Sequence, residues 1–599
     1  MCSINGIIYF NRVSRKELQD KICKMQEITK HRGPDQSDIL LLDQAVLGIS
    51  RLAIIAPTDN STIKSMEIDK KYVVFNGEIV NYKKLRKLLN DPSINQKSDS
   101  ALILPLFKKL GQNFIKELAG MFAIGVYDEL NNRLQLWRDP LGIKPLYYYQ
   151  SKNCIIFSSE IKAIYTVMDS EPELDFAALD HILRFRFQPG RSSVFPEIKK
   201  VLPGETIVFK KIGISSERYW KLVPNEISLN PKIQIEQFRN LLAQVIEEHA
   251  QADVPGGFFT SGGLDSSLVT SIALKVSSSS YKQPISIKFS PHSVVDEKYG
   301  QLLEKYLKTR FEWVTITDSI ARQTLMELVR YIDEPLENPI HIGTYLMAKR
   351  ARDLGIKSIL TGDGSDEFFL GYERHGCWFK SPNPTRDYPK LHWTMKPEEA
   401  KEFYTHDANA SIRPMVDCLN QKIEPFLNME QALLFERGER LAEYHNMRLD
   451  RMTMAHGVEA KVPFLDHRIV EYALQIPVAT LFGKSGKEWL QQVAKPWLPP
   501  EIMNRSKVLF PSLPDQWLSG NGAKWTAEIL LSPNAYTRKW IKPRVLERYI
   551  VEHQNKIHSR GKLLWALVVL ELWIQQLSLW RNLRIFEGGD ILGCYGTSG

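Results

Sequence analysis

The 599-residue chain predicts two domains of different class. The first is an α+β sandwich of antiparallel sheets. The second is an α/β unit on a parallel sheet, with a helical C-terminal part. Three observations lead there. The chain is too long for one hydrophobic core, so two or three domains are expected. Its first ~200 residues hold short apolar runs cut by Gly, Pro, Asn and Asp turns. From Ile235 onward, strand-like and helix-spaced segments alternate.

The chain opens Met1-Cys2-Ser3-Ile4-Asn5-Gly6. A small second residue usually permits removal of the initiator methionine, which makes Cys2 the N-terminus. Its thiol then lies beside its own α-amine, whose reference pKa of ~7.7–8.0 lets it accept the thiol proton. One residue thus supplies nucleophile and base. Tyr72–Phe75, Phe122–Val126, Arg133–Trp137 and Cys154–Phe157 read as strands of the stacked sheets that usually follow such a nucleophile. The unit closes near Pro203-Gly204-Glu205 through Tyr219-Trp220, giving a first domain over 2–222. Residues 223–234 carry two prolines and little periodicity and read as a linker.

Ile235–Ala250 has helical spacing at Phe238, Leu241, Leu242, Val245 and Ile246. Strand-like Gly257–Thr260, helical Ser266–Ala273 and the strands Ile285–Phe289 and Lys357–Leu360 follow. The rest is chiefly helical, so the second domain spans 235–585, with a loose Gly-rich tail over 586–599. Leu563–Leu572 is the longest apolar stretch; it is too short for a membrane span, contains Glu571, and reads as a buried helix.

Composition narrows the function classes. The net charge of +9 comes from 78 Lys+Arg against 69 Asp+Glu, a mild excess at this length that favours solvated faces over a nucleic-acid track. The six cysteines form no CxxC or metal-ligand spacing. The N-terminus lacks a signal-peptide layout. The expected setting is the cytoplasm, with small-molecule substrates and no nucleic-acid or membrane partner.

Two loops carry the second domain's chemistry. Ser261-Gly262-Gly263-Leu264-Asp265-Ser266-Ser267 lies between strand and helix, after the strand-end Thr260. The glycines let backbone N–H groups face an anion at a helix N-terminus, and the serine hydroxyls add donors. Asp265 supplies a carboxylate for Mg²⁺. The GK[ST] ending of a Walker A loop is missing. Thr361-Gly362-Asp363-Gly364-Ser365-Asp366-Glu367 follows another strand, so the pair can enclose a nucleotide and its metal at the strand ends.

These residues, with His31-Arg32-Gly33-Pro34-Asp35, Asn76-Gly77-Glu78-Ile79, Arg138-Asp139-Pro140-Leu141-Gly142-Ile143-Lys144-Pro145-Leu146-Tyr147 and Glu459-Ala460-Lys461-Val462-Pro463-Phe464-Leu465-Asp466, resemble the glutamine-hydrolysing asparagine synthetase family over Cys2 to about residue 520. The resemblance implies an N-terminal-nucleophile glutaminase domain and an ATP-pyrophosphatase synthetase domain, with ATP and Mg²⁺ as cofactors. Dimers are common in the family, so it also implies a homodimer. It implies Cys2 as nucleophile and Asn76 and the Gly77 N–H as oxyanion hole. Arg51 would hold the glutamine α-carboxylate, and Glu78 and Asp99 the α-ammonium. In the second domain it implies a pyrophosphate and Mg²⁺ site at Ser261, Gly263, Asp265 and Ser266. Ile287, Thr361 and Gly362 would contact adenine and ribose, and Asp366 would be a second metal-proximal carboxylate. Lys487 and Lys507 would neutralise phosphate charge.

The sequence departs from the family at four places. Asp363 replaces a glutamate tied to acyl-adenylate formation and is shorter by ~1.5 Å of reach. Lys461 replaces an arginine, Phe369-Leu370-Gly371-Tyr372 replaces Phe-Gly-Gly-Tyr, and Val80-Asn81 replaces Tyr-Asn. The implied reaction is adenylation of the side-chain carboxylate of L-aspartate and its amidation. The alternative acceptor is another carboxylate, such as an envelope sugar, peptidoglycan or natural-product intermediate. A lactam-forming relative would tend to lose Cys2, and no catalytic position is missing as it would be in a dead homologue.

Overall fold

The computed structural model of the protein describes residues 2–585 apart from 61, 92–93, 95–97, 228–229, 277–279, 291–293, 384–386, 389–390, 406–428, 485 and 506–512. Lys507 and the expected tail therefore lie outside the described residues.

The first domain has strands β1 (Cys2–Tyr9), β2 (Gln36–Leu41), β3 (Ala45–Arg51), β4 (Lys71–Ile79), β5 (Gly120–Asp128), β6 (Arg133–Arg138), β7 (Tyr147–Gln150), β8 (Cys154–Ser158), β9 (Ile198–Lys200), β10 (Glu205–Phe209) and β11 (Ile214–Arg218). They form two antiparallel sheets, ordered β2-β3-β1-β8-β7-β9 and β11-β10-β6-β5-β4. Alternation along β1 explains the layering. Ile4 and Ile8 share a core with Val74, Leu136 and Ile207 of the second sheet. Ile7 and Tyr9 point the other way, onto Leu18, Ile22 and Met25 of the helix Arg15–Thr29. The sheet is thus covered on both faces, and Cys2, at its end, is buried.

The second domain has β12 (Gly256–Phe259), β13 (Tyr281–Phe289), β14 (Glu312–Ile316), β15 (Ser358–Leu360) and β16 (Glu459–Lys461), all paired in parallel in the order β14-β13-β12-β15-β16. The chain runs outward from β12 through β13 to β14, then crosses to β15 and β16 on the other side. Its order reverses between β12 and β15, where open α/β sheets bind ligands.

Three expectations change. The helix expected from Ile235 starts at Pro231, because Asn230 caps it by accepting from the Lys232 N–H and proline suits the first helical position. The linker therefore ends at Asn230. Strand β16, three residues long and bearing Glu459 and Lys461, was not expected. The apolar stretch Leu563–Leu572 is part of the helix Gly561–Ile585. Over Gly561–Arg584 its hydropathy of 1.5 makes it long and apolar enough to cross a membrane, so length is no argument against a span. Burial is: 78% of its most apolar stretch is inside the protein, with Trp573 and Trp580 against Phe195 of the first domain.

Candidate active site

Cys2, Arg51, Gly77, Glu78 and Asp99 line one cavity of about 260 Å³ in the first domain. The Cys2 backbone N–H donates to Asn76 Oδ1 at 3.1 Å, and Asn76 Nδ2 points to Ser159 Oγ at 3.4 Å. Register explains the oxyanion donor. Gly77 pairs with Phe122, whose own N–H and carbonyl turn to Asp139 on the far side. Ile79, of the same parity as Gly77, sends its N–H off the open edge of β4 to Asp99 Oδ2 at 2.9 Å. The Gly77 N–H points the same way, into the cavity. A Cβ on Gly77 would sit 2.3 Å from the Met121 carbonyl oxygen, so only glycine fits there.

The charged residues are already engaged. Arg51 Nη1 donates to Gln36 Oε1 at 2.9 Å and to the Asp59 carbonyl, and Nη2 donates to the carbonyls of Ile55 and Ala56, each at 3.0 Å. The guanidinium therefore shapes the 55–59 loop in this structure while it lines the cavity. Burial raises the Asp99 carboxyl above its usual range, partly offset by the Ile79 N–H. Burial likewise pushes Glu78 up to about 7, against the opposing pull of Lys461.

The two second-domain loops meet. A Cβ on Gly362 would lie 2.6 Å from Ser266 N, so loop 361–367 rests against the start of the helix Leu264–Val276. Ser261 Oγ and Ser266 Oγ lie 3.1 Å apart, and Gly263 N–H donates to Ser261 Oγ at 3.3 Å, forming a small nest of donors. Thr260 Oγ1 bonds Thr270 Oγ1 at 2.8 Å, inside the domain. Ser267 is fully buried in that helix, and its Oγ has no hydrogen-bond partner among the described residues; Leu264 starts the helix at the loop. Ile287 lies near the C-terminal end of β13.

Lys487 stands between the two carboxylates expected to face the metal. Its ammonium hydrogen-bonds Asp265 Oδ2 and lies 2.5 Å from Asp366 Oδ1. It starts the helix Glu488–Ala494 from a left-handed backbone conformation, φ +56°. Burial alone would lower this ammonium, but Asp265 and then Asp366 raise it above its ordinary value. Among the described residues no group of three or more His, Cys, Asp or Glu side chains is placed to hold a metal. Two carboxylates already sharing one cation suit Mg²⁺, which takes few protein ligands and completes its shell from phosphates and water.

Residues that the sequence reading passed over complete the site. Arg448 pairs with Asp363 Oδ1 and donates to Thr344 Oγ1 at 2.9 Å. Arg505 Nη1 donates to the Ser261 carbonyl at 3.2 Å. Arg448 lies 85 residues from Asp363 and gives no periodic or motif signal by itself; only the fold brings it to the loop.

A thiol-bearing N-terminal cavity joined to a parallel sheet with phosphate-type loops defines a glutamine amidotransferase fused to a ligase domain. Residues 1–220 match the glutamine amidotransferase domain family and residues 237–575 the asparagine synthase family. The chain belongs to the asparagine synthase family and is a carbon–nitrogen ligase with glutamine as amido donor. It is similar to asparagine synthetase [glutamine-hydrolyzing] 1 of Bacillus subtilis (strain 168), with 26% identity over 96% of this chain and 96% of that protein. It is also similar to asparagine synthetase [glutamine-hydrolyzing] 3 of the same strain, at 27% over 85% and 87%, and to asparagine synthetase [glutamine-hydrolyzing] 3 of Arabidopsis thaliana, at 27% over 88% and 80%.

Proposed function

We propose that the protein is an ATP- and glutamine-dependent asparagine synthetase, converting L-aspartate, ATP and glutamine to asparagine, AMP, pyrophosphate and glutamate. The observation that carries this reading is the joint packing of two sites on one core. Leu52, Ile54, Met121 and Ile143 of the glutaminase domain share an apolar cluster with Leu360, Ala460, Val462 and Leu465 of the synthetase domain.

Cys2 Sγ attacks the glutamine amide carbon while the α-amine takes the thiol proton. Asn76 Nδ2 and the Gly77 N–H receive the developing oxyanion. Collapse expels ammonia, and water hydrolyses the thioester to glutamate. In water near neutral pH the ammonia would be mostly ammonium, so the transfer requires a water-excluding passage between the sites, whose walls the shared apolar cluster would supply from both domains. At the second site the Ser261–Ser266 nest and Lys487 receive the pyrophosphate charge as the acceptor carboxylate attacks the α-phosphorus. Asp265 and Asp366 would hold Mg²⁺, which supplies further charge neutralisation on the phosphates. Ammonia then attacks the acyl-adenylate and AMP leaves.

A second reading keeps this chemistry with another carboxylate as acceptor. It is favoured by Asp363, shorter than the family's glutamate and engaged by Arg448. Product analysis with Mg²⁺, ATP, L-glutamine and L-aspartate tests both. Asparagine formed in step with pyrophosphate establishes the first. Glutamate release without pyrophosphate or asparagine refutes aspartate as acceptor and directs a screen to larger carboxylates.

A further inference from the structure

Lys461, the last residue of β16, is fully buried in the synthetase domain, yet its ammonium reaches the other domain. Nζ donates to Glu78 Oε1 at 2.7 Å and to the Gln251 carbonyl at 2.8 Å, and lies 5.7 Å from the centre of the Tyr281 ring. Glu78 lines the glutaminase cavity, and its Oε2 is buried with no hydrogen bond among the described residues. Nothing in the mechanism above uses Lys461.

We propose that Lys461 is a positioning residue of the glutaminase site, contributed across the domain interface: its ammonium holds Glu78 Oε1 at the interface and leaves Oε2 for the α-ammonium of glutamine. The proposal rests on the reading of that cavity as a glutamine site. A carboxylate buried this completely without a cation takes up a proton. Burial, with Asp99 and Glu459 nearby, pushes Glu78 up, and Lys461 is the cation that opposes them. Burial would lower the Lys461 ammonium, but Glu78 and Tyr281 raise it well above its ordinary value, so it stays charged through neutral pH. His249, paired with Asp466, and Tyr82, beside Asp253, also lie near the pair. With Lys461 in place, Glu78 and Asp99 offer two negative charges against one positive, which leaves one unbalanced charge for one ammonium. Without it, two neighbouring buried carboxylates cannot both stay ionised near neutral pH, and glutamine would have to displace a proton to bind.

The test is glutamate release as a function of glutamine concentration, from mildly acid to alkaline pH. Lys461→Met is expected to raise KM for glutamine about fivefold near neutral pH and about tenfold in mild acid, the effect of a tenfold weaker acidity at Glu78, with little change in kcat. The penalty should shrink as pH rises and Glu78 deprotonates. Lys461→Arg should restore the wild-type profile. A Lys461→Met profile parallel to wild type, or a fall in kcat at unchanged KM, overturns the proposal. Wild-type protein that releases no glutamate would instead refute the glutaminase reading. Should Lys461→Met fail to fold, Glu78→Gln and Glu78→Gln/Lys461→Met are compared, since losing both charges of a buried pair is tolerated better than losing one. Equal KM values support the proposal, and a further rise in the double variant overturns it.

Discussion

Lys487→Met tests the cation between the two aspartates. Methionine keeps most of the side-chain volume and removes the charge. The Lys487 side chain is 10% exposed, and Asp265 and Asp366 are 22% and 21% exposed. Breaking a fully buried pair costs about 3–5 kcal/mol; the partial exposure of both carboxylates reduces this to roughly 1–3 kcal/mol. At about 2–4 °C per kcal/mol for a large domain, the synthetase transition should fall by roughly 2–12 °C. Added Mg²⁺ should recover more stability in the variant than in wild type, because it meets two carboxylates with no resident ammonium. Pyrophosphate release should fall by about a hundredfold or more with either nitrogen source, as for removal of a charge-stabilising donor. Glutamate release should persist. Differential scanning calorimetry with and without Mg²⁺, and a coupled pyrophosphate assay, read these quantities. Wild-type pyrophosphate release with an unchanged transition would refute both the structural and the catalytic role of Lys487.

Cys2→Ala should abolish glutamine-dependent synthesis and glutamate release while sparing synthesis from ammonium salts; full glutamine use by the variant would remove Cys2 as nucleophile. Asp265→Asn should stop pyrophosphate release with glutamine and with ammonia alike, and normal release would refute its metal role. Gly362→Ala places a methyl group 2.6 Å from Ser266 N and should force the two loops apart. The expected effect is a loss of about 1–3 kcal/mol in stability and a raised KM for ATP, and an unchanged KM would contradict the contact between the loops.

The layering of this chain was readable wherever a periodic signal was long. β12, β13 and the helix after Asp265 were expected within a few residues, because an apolar run, a glycine turn and a helical repeat follow one another. The start at Pro231 was written in Asn230-Pro231, a cap and first-turn pair that outranks the apolar spacing from Ile235. β16 was hidden because its two charged side chains, Glu459 and Lys461, make it read as surface. Their partners, Lys144 and Glu78, lie 315 and 383 residues away. That Cys2, Glu78 and Asp99 share one cavity is what the family resemblance implied, but their contacts were not legible. That Arg51 spends its guanidinium on the 55–59 loop, or that Arg448 meets Asp363, depends on where distant backbone falls. The length argument against a membrane span failed at Gly561–Ile585 for a related reason: an apolar run of ten residues says nothing of how far a helix continues through Trp573 and Trp580.

The helix Met447–Met454 shows how the two sites are held in one frame. All eight of its residues are buried, so it has no solvent face and serves several neighbours at once. Arg448 engages Asp363 in the 361–367 loop. Asp450 accepts both Nη groups of Arg32, at 2.7 and 2.9 Å, and Arg32 Nε in turn lies 3.4 Å from the Cys2 carbonyl oxygen. Arg451 pairs with Asp333 at 2.5 Å and bonds the Ser159 carbonyl at 3.2 Å, next to the Asn76 contact. Buried ion pairs of this kind add little net stability, because desolvation offsets most of their attraction. What they supply is geometry: each charge has one low-energy placement, and removing one partner strands the other. A shift of this helix at Arg448 would therefore move Asp450 and Arg451 against the nucleophile strand. One helix thus fixes the 361–367 loop and the strand that bears Cys2 in a single frame.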